Sequence, residues 1–140
     1  MHWVTRQRPH IDRTSTAWLV RRFIDPKAKF SFVAGGEDVP KGATPFDMPG
    51  VKYGHQGSLC TFEVALREHD LQEDPGLAKV AALIHDLDFH IGKHPDGPGV
   101  DSMLIGILLT EKDDHKVLEK TAPLFDALYA RYSKPEARGR

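Results

Sequence analysis

A single cysteine, Cys60, is all the sulfur chemistry available besides methionine, so an intramolecular disulfide is excluded. The chain also lacks an excess of either charge. Its 19 lysines and arginines face 20 aspartates and glutamates, a formal net charge of -1, so no global field gathers nucleic acid and any anion recognition must be local. Long apolar runs are missing as well. Stretches such as Met103 to Leu109, which contains Gly106, fall far short of the roughly 20 residues that span a bilayer. The opening MHWVTRQRPHIDR is polar and basic with no apolar segment behind it, so no secretory signal or membrane partner is expected, and the expected location is cytoplasmic. There is no internal repeat and no low-complexity tract.

What is present suits one compact unit. At 140 residues with 40% hydrophobic content the chain can bury most of its unfolded surface, which predicts a single domain over residues 1–132. The charged stretch from Ser133 to Arg140, with its proline and glycine, is expected to be a disordered tail. Trp3 to Thr5 reads as a strand, and Pro9 keeps the basic turn from Arg6 to Arg13 out of helix. Trp18, Leu19, Phe23 and Ile24 mark an apolar helical face over 14–24, stopped by Asp25 and Pro26. Phe30, Phe32 and Val33 form a second strand, predicted to run parallel to the first. Seven glycines and prolines between Gly35 and Gly50 enforce loop.

Four helices should follow. One spans about 61–69, and one starts at Asp74 with Pro75 in its first turn. A third contains Met103, Leu104, Ile107 and Leu108. The last carries Leu118, Phe125 and Tyr129, with Pro123 removing a backbone donor from its interior. The expected class is therefore α/β and helix-rich: a small sheet built on an N-terminal strand-helix-strand unit, followed by a cluster of about four helices.

The richest segment chemically is YGHQGSLCTFE, residues 53–63, where His55, Cys60 and Glu63 flank a loop-to-helix boundary. Imidazole, thiolate and carboxylate are the side chains that bind borderline transition metals and move protons. Cys60 and Glu63 share a helical face, although a lone cysteine also reads as a small buried hydrophobe. In ALIHDLDFH, helical spacing from Ala81 and Ile84 turns Asp88 inward, where a carboxylate needs a cation, a metal or several donors. His55, Glu63 and Asp88 are thus the candidate metal ligands, for a divalent ion such as manganese, iron or zinc. His90 and His94 read as exposed loop residues, with His85 a lesser candidate; Asp113 and Asp114 read as helix caps beside His115. The basic turn supplies a second constellation: Arg6, Arg13 and Arg22 are candidate anion binders, with Asp12 read either as a pin for a neighbouring arginine or as a chemical group.

The order of motifs resembles the C-terminal domain of the chromate-resistance protein ChrB family. WVTRQRPHIDR, STAWLVRRFIDPKAKFSFV, ATPFDMPGV, HQGSLCTFE and DDHKVLEKTAPLFDALYARY carry the likeness across almost the whole chain. The positions matching the family's polar pattern are Arg6, Asp12, Arg13, Trp18, Arg22, Asp25, His55, Cys60, Glu63 and Asp88. The resemblance implies a part in the response to chromate, heavy-metal or oxyanion stress, and it writes no reaction. Longer relatives carry an N-terminal half linked to regulation, whereas this sequence opens on the shared domain, so a DNA-binding regulator is not expected.

Three functional expectations follow. The first is a metal-binding domain of the chromate-resistance type that acts on or responds to a small oxyanion such as chromate, with Cys60 and Asp12 as the residues open to direct chemistry. The second is a sensor that captures the oxyanion on the arginine-rich turn without turnover. The third is a packing subunit or homo-oligomer anchored by Trp3 and Trp18. Chromate reduction by Cys60 is disfavoured, because one thiol without a resolving partner needs outside rescue after each oxidation.

Overall fold

A computed structural model describes residues 1–134. Strand β1 (His2–Arg6) lies at the centre of a three-stranded parallel sheet of order β2-β1-β3, between β2 (Lys29–Val33) and the two-residue β3 (Thr44–Pro45). The β1–β2 pairing runs in register from His2 opposite Lys29 to Arg6 opposite Val33. Helix α1 (Ile11–Leu19) makes the crossover, as the alternation of apolar strands with a 3.6-residue pattern requires. Its last turn widens over Val20–Ile24 into a π turn, in which the Asp25 N–H donates to the Val20 carbonyl, five residues back, at 2.6 Å.

The remaining helices are α2 (Thr61–Glu68), α3 (Pro75–Asp88), α4 (Gly97–Thr110) and α5 (Asp114–Ser133). The helix-rich α/β class, with one strand-helix-strand unit followed by four helices, is what the hydrophobic spacing predicts. Asp74 caps α3 by accepting from the Leu77 N–H at 3.0 Å, with Pro75 in the first turn. Pro123 lies inside α5, which continues to Ser133. Ser133, expected to open the tail, is therefore helical, and residues 135–140 of that expected tail lie outside the described residues.

Two apolar clusters hold these elements. One, centred on Trp18, Leu19, Phe62, Leu77, Ile84 and Phe125, joins α1 to α2, α3 and α5. The other places Trp3, Val20, Phe30, Phe46 and Leu118 around the sheet. Burial at about 25 cal/mol per Å² of apolar surface makes these the main stabilising contacts. Trp3 and Trp18 are 1% and 5% exposed, which corrects their expected role as surface anchors: both are core residues. No helix among the described residues is long and apolar enough to cross a membrane.

Arg8 ties the end of the sheet to the helices. Its backbone is left-handed, with φ 55, and its guanidinium donates to the carbonyls of Leu108, Glu111 and Lys112 and to Asp114 Oδ1. Those carbonyls belong to the end of α4 and the residues after it, where helical partners run out. One arginine thus closes α4 and fixes the start of α5.

Candidate metal centre

The site assembles where the N-terminus of α1, the loop between β3 and α2, and the C-terminus of α3 meet. Asp12, in the first turn of α1, points both carboxylate oxygens at the N-terminus of α2: Oδ2 accepts from the Thr61 N–H and Oδ1 from the Phe62 N–H, each at 2.9 Å. Asp12 is 3% exposed. Two free backbone donors and the positive end of α2 hold this buried charge. The sequence alternatives for Asp12, an arginine pin or a chemical group, thereby gain a third member, a cap for a helix 49 residues away.

Into the same space come His55 from the loop and Asp88 from the last residue of α3. His55 Nε2 lies 2.8 Å from Asp88 Oδ2, 3.3 Å from Asp12 Oδ2 and 4.0 Å from Asp47 Oδ1. One ring nitrogen, with at most one proton, thus faces three carboxylates. Asp88 Oδ2 is buried and has no hydrogen bond of acceptable geometry despite the short separation.

The titrations follow from this crowding. His55 is pushed up to about 9, first by the Asp12 carboxylate 3.3 Å from its Nε2 and then by the charges of Asp88, Asp12 and Asp47, against the opposing effect of burial. Asp88 rises to about 6, chiefly through burial and then through repulsion from Asp12, with His55 pulling the other way. Burial and Asp12 likewise raise Asp47, while Thr61 and Arg13 oppose them.

Of the residues singled out in the sequence, His55 and Asp88 come together, and Asp12 completes the group: one atom from each lies within 4.8 Å of the others. Glu63 is not a member of that group. Its Oε1 accepts the Cys60 N–H at 3.0 Å as the return half of a capping box on α2, and lies 2.7 Å from His85 Nδ1. The Phe89 ring packs on both imidazoles, at centroid distances of 5.2 Å from His55 and 4.6 Å from His85. Cys60 is fully buried, and desolvation followed by the nearby Asp12 charge pushes its thiol far above the ordinary range. It is the N-cap residue of α2 and stays protonated at neutral pH.

The three arginines separate. Arg13 Nε donates to Asp47 Oδ2 at 3.0 Å, and Arg6 donates from Nη2 to the Asp47 carbonyl at 3.2 Å while its buried Nε has no partner. Arg6 lines a cavity of about 270 Å³ with His55, Met48 and Gly50. Arg22 belongs to another face of α1, bound to Asp126 Oδ1 at 2.7 Å.

The residue that motif reading passed over is Asp47. Its φ of 54 is left-handed, and its carboxylate joins Arg13, Thr61 Oγ1 (2.8 Å) and the His55 neighbourhood. The available signal was the aspartate in PFDMPG, between an apolar anchor and a Pro-Gly turn; aspartate tolerates this conformation better than most residues.

The donor set fits a divalent transition ion. Around such an ion, bonds of about 2.1 Å set ligand atoms roughly 3–4 Å apart, close to the separations found among His55, Asp12 and Asp88. A cation there would answer the buried Asp88 oxygen that has no hydrogen bond among the described residues.

A family model described as "ChrB, C-terminal domain" matches residues 3–132. Protein ChrB of Cupriavidus metallidurans is 37% identical over 138 residues, which cover 97% of this chain and 42% of that protein. The chain thus spans about two fifths of the length of the curated relative it matches. No solved structure matches significantly.

Proposed function

The chain belongs to the ChrB C-terminal domain family, and from that premise we propose that it is a metal-binding domain of the chromate-resistance type. Asp12, His55 and Asp88 are the ligands, and manganese, iron or zinc is the class of ion their nitrogen and oxygen donors suit. The observation that carries this reading is the buried Asp88 Oδ2, which faces a nitrogen shared with two other carboxylates and has no hydrogen bond of its own. Glu63, the ligand expected from sequence spacing, is engaged with the Cys60 N–H and His85, and Asp12 takes its place in the proposed set.

The metal would supply Lewis acidity and positive charge. The chain's own contribution is order. The α2 N-terminus fixes Asp12, Arg13 and Thr61 fix Asp47, and Phe89 packs against the His55 ring.

The same centre supports a reading in which an oxyanion such as chromate is recognised. Arg13 is already paired with Asp47 and Arg22 with Asp126, so neither is a free anion receptor. Arg6 keeps a buried Nε without a partner beside the cavity that His55 also lines. An oxyanion would sit against Arg6 once a cation offsets the carboxylates. This also gives the sensor reading a form: capture on the loaded centre without turnover.

The test is metal analysis and calorimetric titration of chelator-stripped protein with Mn²⁺ and Zn²⁺, comparing wild type with His55→Ala, Asp88→Asn and Glu63→Gln. Loss of at least about tenfold in affinity in the first two, with Glu63→Gln retaining most binding, is the expected pattern. Unchanged metal content in His55→Ala and Asp88→Asn removes the proposal. Chromate and sulfate titrations with and without metal, in wild type and Arg6→Ala, test the anion step.

A further inference from the structure

The paired arginines at 21 and 22, with Trp18 before them, take no part in the metal centre. They border a cleft of about 240 Å³ between α1 and α5, closed on the sheet side by Phe30. No residue is shared between the lining of this cleft and that of the cavities at Arg6 and Asp12.

Its shape follows from the sequence. Thr14, Ala17, Trp18 and Arg21 recur at intervals of three, one and three, so they form one stripe of the helix; Leu118, Ala122 and Asp126 recur every four on α5. Alanine at 17 and 122 leaves the gap that larger side chains would fill. Trp18, Phe30 and Leu118 give it flat and aliphatic walls.

We propose that this cleft binds a small flat organic anion, an aromatic carboxylate in the first instance, with its ring between Trp18, Phe30, Leu118 and Ala122 and its charge at Arg21. Four observations converge. The volume exceeds the roughly 150 Å³ that accommodates a benzene ring and leaves room for a carboxylate beside it. The walls are chiefly apolar with a few polar groups at the rim, the usual make-up of a small-molecule site.

The rim charges, third, are unequal. Arg22 is consumed: it bonds Asp126 Oδ1, which also accepts the Trp18 indole N–H at 2.9 Å, and it stacks over Tyr129 at 5.0 Å and Phe23 at 5.3 Å. Arg21 lies over Phe30 at 4.8 Å and makes one hydrogen bond, from Nη2 to the Ala28 carbonyl at 3.2 Å. Its other donors make none with the described residues. With Asp126 neutralised by Arg22, the rim presents one guanidinium, that of Arg21, with no carboxylate partner among the described residues.

Fourth, the helix is widened at this cleft. The 2.6 Å bond from the Asp25 N–H to the Val20 carbonyl makes the π turn of Val20–Ile24, which holds both arginines. Such turns are uncommon and concentrate at functional sites. Both arginines of this turn border the opening.

The Trp18 indole N–H resonance of ¹⁵N-labelled protein reports binding directly. Titration with 2-naphthoate should shift it saturably, with a dissociation constant on the order of 1 mM or tighter, while neutral 2-naphthalenemethanol binds at least about tenfold more weakly. Arg21→Gln, at an exposed position, should erase the preference for the anion and leave the metal affinity unchanged. Ala122→Leu, with its fold confirmed by thermal melting, should abolish both shifts. No saturable shift at 10 mM ligand, equal binding of the acid and the alcohol, or full binding by Ala122→Leu would overturn the assignment.

Discussion

His55 Nε2 stands 2.8 Å from an Asp88 carboxylate oxygen that forms no proper hydrogen bond to it. The imidazole is divided between Asp88 and Asp12, and one proton cannot serve both. This geometry sets the behaviour of the metal-free protein as well as its proposed affinity for a cation.

Proton release is the first expected consequence. With His55 at about 9 and Asp88 at about 6, the metal-free centre at pH 7 carries a protonated imidazole and a mostly ionised carboxylate. A metal must displace the imidazole proton. Calorimetry of Zn²⁺ binding at pH 7 in buffers of different ionisation enthalpy should show release of about one proton, and apparent affinity should climb with pH towards 9. A buffer-independent enthalpy would contradict this.

Asp88→Asn should have opposite effects in the two states. A carboxylate whose folded value is raised favours the folded protein at low pH, and that contribution fades as pH rises from about 4 to about 6. Above that window the ionised Asp88 is unfavourable in the absence of metal. The metal-free Asp88→Asn protein should therefore melt higher than wild type at pH 7.5 and alike near pH 4, and it should lose the stabilisation that metal gives wild type. A lower melting temperature at pH 7.5 without metal would count against the geometry.

For His55 the sign is reversed. Its raised value contributes stability that is complete below pH 6.5 and disappears as pH passes through 9. His55→Gln in metal-free protein should therefore lower the melting temperature clearly at pH 6 and very little at pH 10. Equal losses at both would assign the effect to packing against Phe89 instead.

Asp12→Ala should be the most damaging single change at the centre. It leaves the Thr61 and Phe62 N–H groups unpaired in a buried place. Removing a cap or a buried acceptor costs about 1–2 kcal/mol each, so a loss of roughly 2–4 kcal/mol in urea unfolding is expected. A loss under about 0.5 kcal/mol would show that water replaces the carboxylate easily.

Cys60 should be chemically silent in the folded protein. Buried at 0% exposure and with its thiol held protonated, it should resist iodoacetamide over hours in buffer and react within minutes in denaturant. Rapid labelling of the native protein would reopen the case for a reactive thiol.

Much of the scaffold was readable because its signals are local. Trp18, Leu19, Phe23 and Ile24 recur at helical spacing, Phe30 and Phe32 alternate along a strand, and Asp74-Pro75 announces a helix start; none of these needs a distant partner to act. At the site, the same local logic brought out His55, Glu63 and Asp88, while a three-residue interval to Cys60 shows a shared face and not what that face meets. Glu63 caps its own helix and pairs with His85, 22 residues on.

By itself, then, the sequence determined the element types, the neutral charge balance, the single thiol and the presence of imidazole and carboxylates near a loop-helix boundary, since composition and short-range sterics fix these. Tertiary structure alone decided which carboxylates converge. Asp12 and Asp47 reach His55 through contacts 49 and 14 residues long with the start of α2, and Arg22 is drawn to Asp126 on α5, 104 residues away. Such pairings depend on how helices pack around a common core, and periodicity within one helix gives only the direction a side chain points, not the partner it finds.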